Sequence, residues 1–294
     1  MAADGNILIA RGVMRRGSFA AHRRSSLGYV TFLLLTNDDG VESPALVPFA
    51  KALRRLGRVE VVVPDRERSW IGKAITRHDE IKVEVVEHDG VSIHTATGYP
   101  ADCTQLGVHL LFDETPSMVI SGINIGYNHG AGFLLSSGTI GAAVEGWISG
   151  VPAMAFSAGT RGDWGYWSHF VWTEEATEMW SRLAVLATDI VESVIAAGGA
   201  LGADVLSVNL PGDADGITPR RVTSVARVGY DRLFKQIGDG VFSHGYGGGF
   251  RHMGGLEGTD IQAAEDGAIS ITPIVVPQAG TMPPDLVAML ERGG

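Results

Sequence analysis

Leu33-Leu34-Leu35-Thr36-Asn37-Asp38-Asp39-Gly40 decides the fold. An apolar run stops abruptly at two adjacent carboxylates and a glycine. That is the pattern of a parallel strand buried on both faces that delivers acidic groups to the rim of an α/β sheet, where open sheets place their sites. Side chains alternate along a strand, so neighbouring aspartates point apart while it continues. Where the strand ends the backbone turns, and both can face one hard cation. Two carboxylates this close repel each other unless a metal or a proton intervenes. Asp-Gly is also a hairpin signal, but Val41-Glu42-Ser43-Pro44 does not resume a strand.

Outward from that stretch, strand and helix signals alternate. Val30–Thr36 reads as the first strand. Ser43-Pro44 reads as an N-cap with Pro at the first helical position, followed by Leu46, Phe49, Ala50, Leu53 and Leu56 at helical spacing. Pro48 is expected to remove one helical hydrogen bond. Val59–Val63 is a second buried strand, and Ile81–Val86 with Val91–Thr95 form a hairpin around Asp89-Gly90. Residues 100–112 are helical, Met118–Ser121 and Ala153–Ser157 are short rim strands, and Thr139–Ser149 is a helix of small residues between them. Glu174–Ala197 is the longest helix, with Met179, Leu183, Leu186, Ile190 and Ile195 on one stripe. Ala203–Leu210 and Ile269–Val276 are later strands, and the glycine-rich stretch 238–258 reads as a long loop. Trp164, Tyr166, Trp167, Phe170 and Trp172 form an aromatic cluster that fits a lid, a subunit contact or plain packing.

The resulting expectation is an α/β fold: a Rossmann-like three-layer sandwich with a mostly parallel sheet and a C-terminal extension. Residues 30–210 would form the core. Residues 211–294 would form an oligomerisation arm that returns a final strand to the core. Residues 1–29 differ in composition, with five arginines against the single acid Asp4, a net +4 that leaves −14 for the remainder. They read as a disordered basic leader, their one apolar run, Ile7–Ala10, being too short for a signal-peptide core or a membrane span.

The net charge of −10 argues against a nucleic-acid coat but not against small phosphorylated substrates, because a bound cation reverses the sign locally. One cysteine, Cys103, excludes an intramolecular disulfide framework and a cysteine-rich zinc site. It fits a reducing, cytoplasmic compartment and reads as a small core residue. No G-x-G-x-x-G follows the first strand, and Ile71-Gly72-Lys73-Ala74 lacks the early glycine and the hydroxyl of a P-loop.

Three further segments are candidates to converge with Asp38 and Asp39: Pro64–Ser69, Ser121–Asn128 and Ser136-Ser137-Gly138-Thr139, which opens a helix. Aspartates with a hydroxyl and an amide oxygen make an all-oxygen ligand set suited to Mg²⁺, Mn²⁺ or Ca²⁺. Free N–H groups at a helix start, with glycine allowing close approach, make an anion cradle. A cation beside such a cradle is equipment for phosphate-ester hydrolysis. Singly these pieces are ordinary: Ser137-Gly138-Thr139 is a common N-cap, and Asn124 and Asn128 are common turn formers.

Taken in order, the segments Thr36–Gly40, Pro64–Ser69, Gly98–Cys103, Ser121–Gly126, Ser137–Thr139 with Glu145-Gly146, and Glu257–Asp260 resemble the SurE (survival protein E) family. The resemblance runs from about residue 30 to about 275. It implies a metal-dependent phosphatase, a nucleotidase hydrolysing nucleoside 5′- and 3′-monophosphates, in some members also polyphosphate. It implies one divalent ion per subunit, Mg²⁺ or Mn²⁺, on Asp38, Asp39, Ser69 and Asn124. The family's phosphate contacts fall on Ser137, Gly138 and Thr139, and its subunits exchange C-terminal contacts as dimers or tetramers. Small residues then a polar one usually follow Ser69 in the family. Here Trp70-Ile71-Gly72-Lys73-Ala74 follows, with Trp70 placed to stack on a base or narrow the pocket and Lys73 to act as a point donor to phosphate.

In the reaction so implied, Asp38 or Asp39 accepts the proton of an attacking water, with a covalent aspartyl phosphate as the rival route. His94 and His129 read as packed or surface residues rather than general acids, and Glu145 as a helix residue within reach of the phosphate loop. A nucleotide- or metal-binding regulator without turnover would carry the same residues, as would a phosphatase for another small ester. A nucleic-acid duplex and a membrane are not expected partners.

Overall fold

The computed structural model describes residues 32–199, 202–246, 249–277 and 279–292. The basic stretch 1–29, with Val30 and Thr31 of the expected first strand, lies outside them. In chain order the elements are β1 (Leu33–Thr36), α1 (Leu46–Leu53), β2 (Val59–Pro64), β3 (Val83–His88), β4 (Val91–Ala96), α2 (Pro100–His109), β5 (Met118–Ile125), α3 (Gly130–Ser136), α4 (Gly138–Ile148), β6 (Ala153–Gly159), α5 (Trp164–Phe170), α6 (Thr177–Ala196) and β7 (Val205–Pro211). There follow β8 (Arg220–Val222), β9 (Val228–Tyr230), β10 (Phe234–Gly238), β11 (Val241–His244), β12 (Phe250–His252), α7 (Asp260–Glu265), β13 (Ile269–Ile274) and α8 (Pro284–Glu291).

Nine strands form one sheet in the order β3-β4-β2-β1-β5-β6-β7-β13-β8. It is parallel except at the β3–β4 hairpin and the β7–β13 pair. β1 lies between β2 and β5, with Leu33 opposite both Val59 and Met118. Its leucines serve two cores. Leu33 and Leu35 pack with Leu46, Phe49 and Leu53 of α1 and with Leu183, Leu186 and Ile190 of α6. Leu34 packs on the other face with Cys103 and Val108 of α2 and Ile140 of α4. Burial on both faces is why β1 reads as an unbroken apolar run rather than an alternating one. At Gly107 a Cβ would lie 2.6 Å from Leu34 Cδ1, so glycine lets α2 press onto the sheet.

The Asp89-Gly90 hairpin is present, both residues having positive φ (50° and 77°) as a two-residue primed turn requires. The expected start of α1 is not. The helix begins at Leu46 behind Ala45, which has no capping side chain, and Ser43-Pro44 precedes it in a turn. Pro48 therefore falls at the third helical position, where an N–H has no intrahelical acceptor, and it removes no hydrogen bond.

The loop expected at 238–258 is also corrected. β10 and β11 form a hairpin closed by Asp239-Gly240, and β12 pairs with β9. Both hairpin strands are almost wholly exposed, so no buried face imposes the apolar alternation that marks a strand. No helix among the described residues is long and apolar enough to cross a membrane.

Candidate active site

The carboxyl ends of β2, β1, β5 and β6 lie side by side, and the chain closes the turn after β1 on itself. Asn37 Nδ2 donates to Gly40 O (3.0 Å), and Gly40 N–H donates back to Asn37 Oδ1 (3.1 Å). Gly40 has φ +84°, and a Cβ there would lie 2.6 Å from the Arg66 carbonyl carbon. The Asp-Asp-Gly turn is thus locked against the loop after β2, with Val41 N donating to Pro64 O (3.1 Å) and Arg68 N to Asp38 O (2.7 Å).

Both aspartates are buried, 3% and 7% exposed. Asp39 Oδ2 accepts from the backbone N–H of Ile125 in β5 (3.0 Å). Asp38 reaches the start of α4, where its Oδ1 accepts from the Thr139 hydroxyl at 2.5 Å and its carboxylate also takes the Thr139 backbone N–H. Gly138 permits this approach, because a Cβ on it would lie 2.8 Å from Asp38 Cβ. Ser137 caps α4 by accepting from Ile140 N (3.1 Å). Asn124, in β5, is buried, and its Nδ2 donates to Gly126 O (2.7 Å), so only its carbonyl Oδ1 is able to accept a bond or face a cation.

Ser69 is exposed and donates to Glu67 Oε1 (2.6 Å). Its loop is anchored further on by Gly72 N–H to Ser136 O (2.8 Å) and by Thr76, whose N–H and hydroxyl both reach Asp102. Lys73, expected at the phosphate, is ion-paired with the buried Glu145 of α4, to which Gln105 also donates.

Burial pushes Asp38 up to about 6, against the pull of the Thr139 hydrogen bonds. Burial, then the charge of Asp38, raises Asp39 well above the usual carboxylate range. None of the ion pairs of the described residues involves either aspartate. No three His, Cys, Asp or Glu side chains converge as a metal cluster among the described residues, so a cation here needs neutral oxygens beside the aspartates.

The family model described as Survival protein SurE matches residues 33–232. The chain belongs to the SurE family. It is 35% identical over 248 residues to the 5′-nucleotidase SurE of Caldanaerobacter subterraneus, covering 83% of this chain and 91% of that protein. It is 36% identical over 246 residues to the 5′-nucleotidase SurE of Geobacter sulfurreducens, covering 82% and 87%. The crystal structure of the SurE protein from Aquifex aeolicus superposes with a TM-score of 0.69 at 32% identity, over 88% of this chain and 99% of that one.

Relative to the SurE pattern, the departures after Ser69 have a structural account. Trp70, at φ +60°, sits among Phe133, Tyr230, His244 and Tyr246, with ring centroids 4.9 to 5.9 Å away. The Ser69 loop therefore carries the base of the β10–β11 hairpin. His129 stacks on Tyr127 at 4.9 Å, and burial holds it below its ordinary value. His94 packs edge-on against Phe112.

Two residues inside the converging segments make contacts that the sequence did not indicate. Glu67, two residues before Ser69, adds a third acidic charge, which raises both aspartates. Asn128 donates from Nδ2 to Ser157 Oγ (2.9 Å) and Thr139 Oγ1 (3.5 Å), while its N–H donates to Asn209 Oδ1 (2.9 Å). That buried network braces Thr139 from β6 and β7. Glu67 lies within the Pro64–Ser69 segment and was legible as a neighbour of Ser69. Asn209 had no local signal.

Proposed function

We propose that this SurE-family chain is a metal-dependent phosphatase that hydrolyses nucleoside 5′-monophosphates, and 3′-monophosphates with them, to nucleoside and phosphate. The observation that carries the reading is the buried Asp38–Asp39 pair beside the start of α4, in a chain about 35% identical to 5′-nucleotidases over most of its length.

Asp38, Asp39, Ser69 and Asn124 are the residues to hold one divalent ion, Mg²⁺ or Mn²⁺. Three of them fit it: two buried carboxylates without a basic partner among the described residues, and an asparagine with its nitrogen already committed, make a hard oxygen set, while the exposed Ser69 hydroxyl is held by Glu67 and would have to leave it to join them. When bound, such an ion supplies Lewis-acid polarisation of a phosphoryl oxygen and of water.

The chain's own residues do the rest. Ser137 and the Gly138 N–H at the start of α4 take the remaining phosphate charge. Thr139, the third residue of the family's Ser-Gly-Thr, also holds Asp38 beside that cradle. Lys73 brings positive charge to the edge of the cradle while tied to Glu145. Water attacks phosphorus in line, and the ester oxygen leaves on the ribose. Asp39 Oδ1, not engaged by Ile125, receives the water's proton, which the departing ribose oxygen takes up as it becomes the alcohol.

The exposed Phe234, Ile237, Val241 and Phe242 of the β10–β11 hairpin support the C-terminal region as a contact between copies in a dimer or tetramer. The single cysteine supports a cytoplasmic setting.

The test is phosphate release from a panel of nucleoside monophosphates, polyphosphate and simple esters with Mg²⁺, Mn²⁺ or EDTA, for wild type and Asp38→Asn. Release that needs the metal and is lost in Asp38→Asn is expected. Equal release by the two proteins overturns the assignment, and Mn²⁺ binding without release identifies a non-catalytic regulator.

A further inference from the structure

Two tryptophans follow strands that lie on opposite sides of the strand carrying the aspartate pair. Trp70 follows β2 and Trp164 follows β6, and in the sheet β2 and β6 lie on either side of the β1–β5 pair. Trp70 is 39% exposed and ringed by four aromatic side chains. Trp164 is 54% exposed, and no ring of the described residues packs on it.

What Trp164 does touch is the end of β5. A Cβ on Gly126 would lie 3.1 Å from Trp164 Cη2 and 3.9 Å from Asn124 Nδ2, so the indole edge and the asparagine flank the same glycine. Gly126 is fixed in turn by its φ of +114° and by its N–H donating to Ala158 O at 2.7 Å. The helix that carries the indole is held at both ends of its first turn. Asp163 caps it by accepting from Tyr166 N (2.7 Å), and buried Trp167 packs so tightly on Gly212 that a Cβ there would lie 2.3 Å from its ring. A cavity of about 650 Å³ lies further along the same helix, lined by Tyr166, Phe170, Met179, Arg161, Arg182 and Asp213 and not by Trp164 itself. The indole is thus a mounted, half-exposed aromatic side chain that shares Gly126 with Asn124.

We propose that Trp164 is the platform on which the base of the substrate stacks. The proposal rests on the nucleotidase reading above and adds what holds the non-reacting end of the ester. Every base has a π-face, so an indole platform favours nucleotides over base-free phosphate esters, and the larger purines over pyrimidines. Trp164 does not touch the reacting atoms. Its effect therefore belongs in the Michaelis constant.

The experiment compares adenosine 5′-monophosphate with ribose 5-phosphate, the same ester without a base, in Mn²⁺. Trp164→Ala is expected to lower kcat/KM for adenosine 5′-monophosphate about ten-fold more than for ribose 5-phosphate, through KM, and Trp164→Phe to recover most of that difference. A thermal melt confirms that both variants are folded. Hydrolysis of both esters with an unchanged ratio in Trp164→Ala, or an equal loss on both, overturns the platform alone. Release of phosphate from neither ester by wild type overturns the nucleotidase reading, and the platform with it.

Discussion

Thr139 Oγ1 lies 2.5 Å from Asp38 Oδ1, and the backbone N–H of the same threonine donates to the same carboxylate. The first turn of α4 therefore fixes an acid delivered by β1, some hundred residues earlier in the chain. These donors lower the proton affinity that burial raises. Thr139→Val keeps the shape and removes the hydroxyl, leaving Asp38 short of a donor by about 1–3 kcal/mol. Asp38 should then rise further above 6, and the acidic limb of the activity profile should move to higher pH. Rate measurements from pH 5 to 9 at sub-saturating Mn²⁺, where protons compete with the ion, test this, and an unmoved limb contradicts it.

Gly138→Ala separates activity from stability. In the first turn of a helix, alanine is favoured over glycine by up to about 1 kcal/mol. Here the new Cβ would meet Asp38 Cβ at 2.8 Å and Oδ2 at 2.9 Å, so the carboxylate must move. Turnover should fall at least about ten-fold, because sub-ångström placement governs such sites. The thermal midpoint should change by only a few degrees. A variant as active as wild type would remove the claim that Asp38 must sit against α4.

Much of this arrangement was legible because burial leaves a mark on composition. Leu33–Leu35 read as a central strand because both its faces are covered, and the acids at its end had nowhere to be except the rim. Asp89-Gly90 announced its hairpin through the positive φ that both positions adopt. Asp239-Gly240 is the same dipeptide, with only its glycine at positive φ, but it lacked flanking alternation, because β10 and β11 have no buried face. Pairings across the fold were out of reach. Nothing near Lys73 indicates that Glu145 takes its charge, and nothing near Asn128 names Asn209 as its acceptor. Such contacts depend on which helix ends meet over the sheet, and local spacing does not encode that.

Lys73 and Glu145 should behave as one unit. Glu145 is buried and Lys73 about one-third exposed, so Glu145→Gln leaves an ammonium that water can still reach. Lys73→Met leaves a buried carboxylate with only Gln105, the more damaging change, expected at about 3 kcal/mol against about 1 for Glu145→Gln. In the double variant the losses should not add. Chemical denaturation of all four proteins gives the cycle. Additive losses, with a KM rise confined to Lys73→Met, would instead make the lysine a direct phosphate ligand with no structural debt to Glu145.

The aspartate pair also fixes how stability responds to pH and metal. Both carboxyls titrate above their unfolded values, Asp38 at about 6 against 3.8. An acid whose folded pKa is raised binds more protons folded than unfolded, so it favours the fold at low pH and loses that contribution as pH rises through the folded value. For Asp38 the loss is on the order of 3 kcal/mol across the window from about 4 to above 6. A divalent cation restores it by binding the ionised pair, and below that window protons compete with the ion. The rise in thermal midpoint on replacing EDTA with Mn²⁺ should therefore be small at pH 5 and several degrees at pH 8. Asp38→Asn should flatten that dependence, since an amide neither titrates nor repels Asp39. A midpoint that responds to Mn²⁺ equally at both pH values would mean the ion binds somewhere other than this pair.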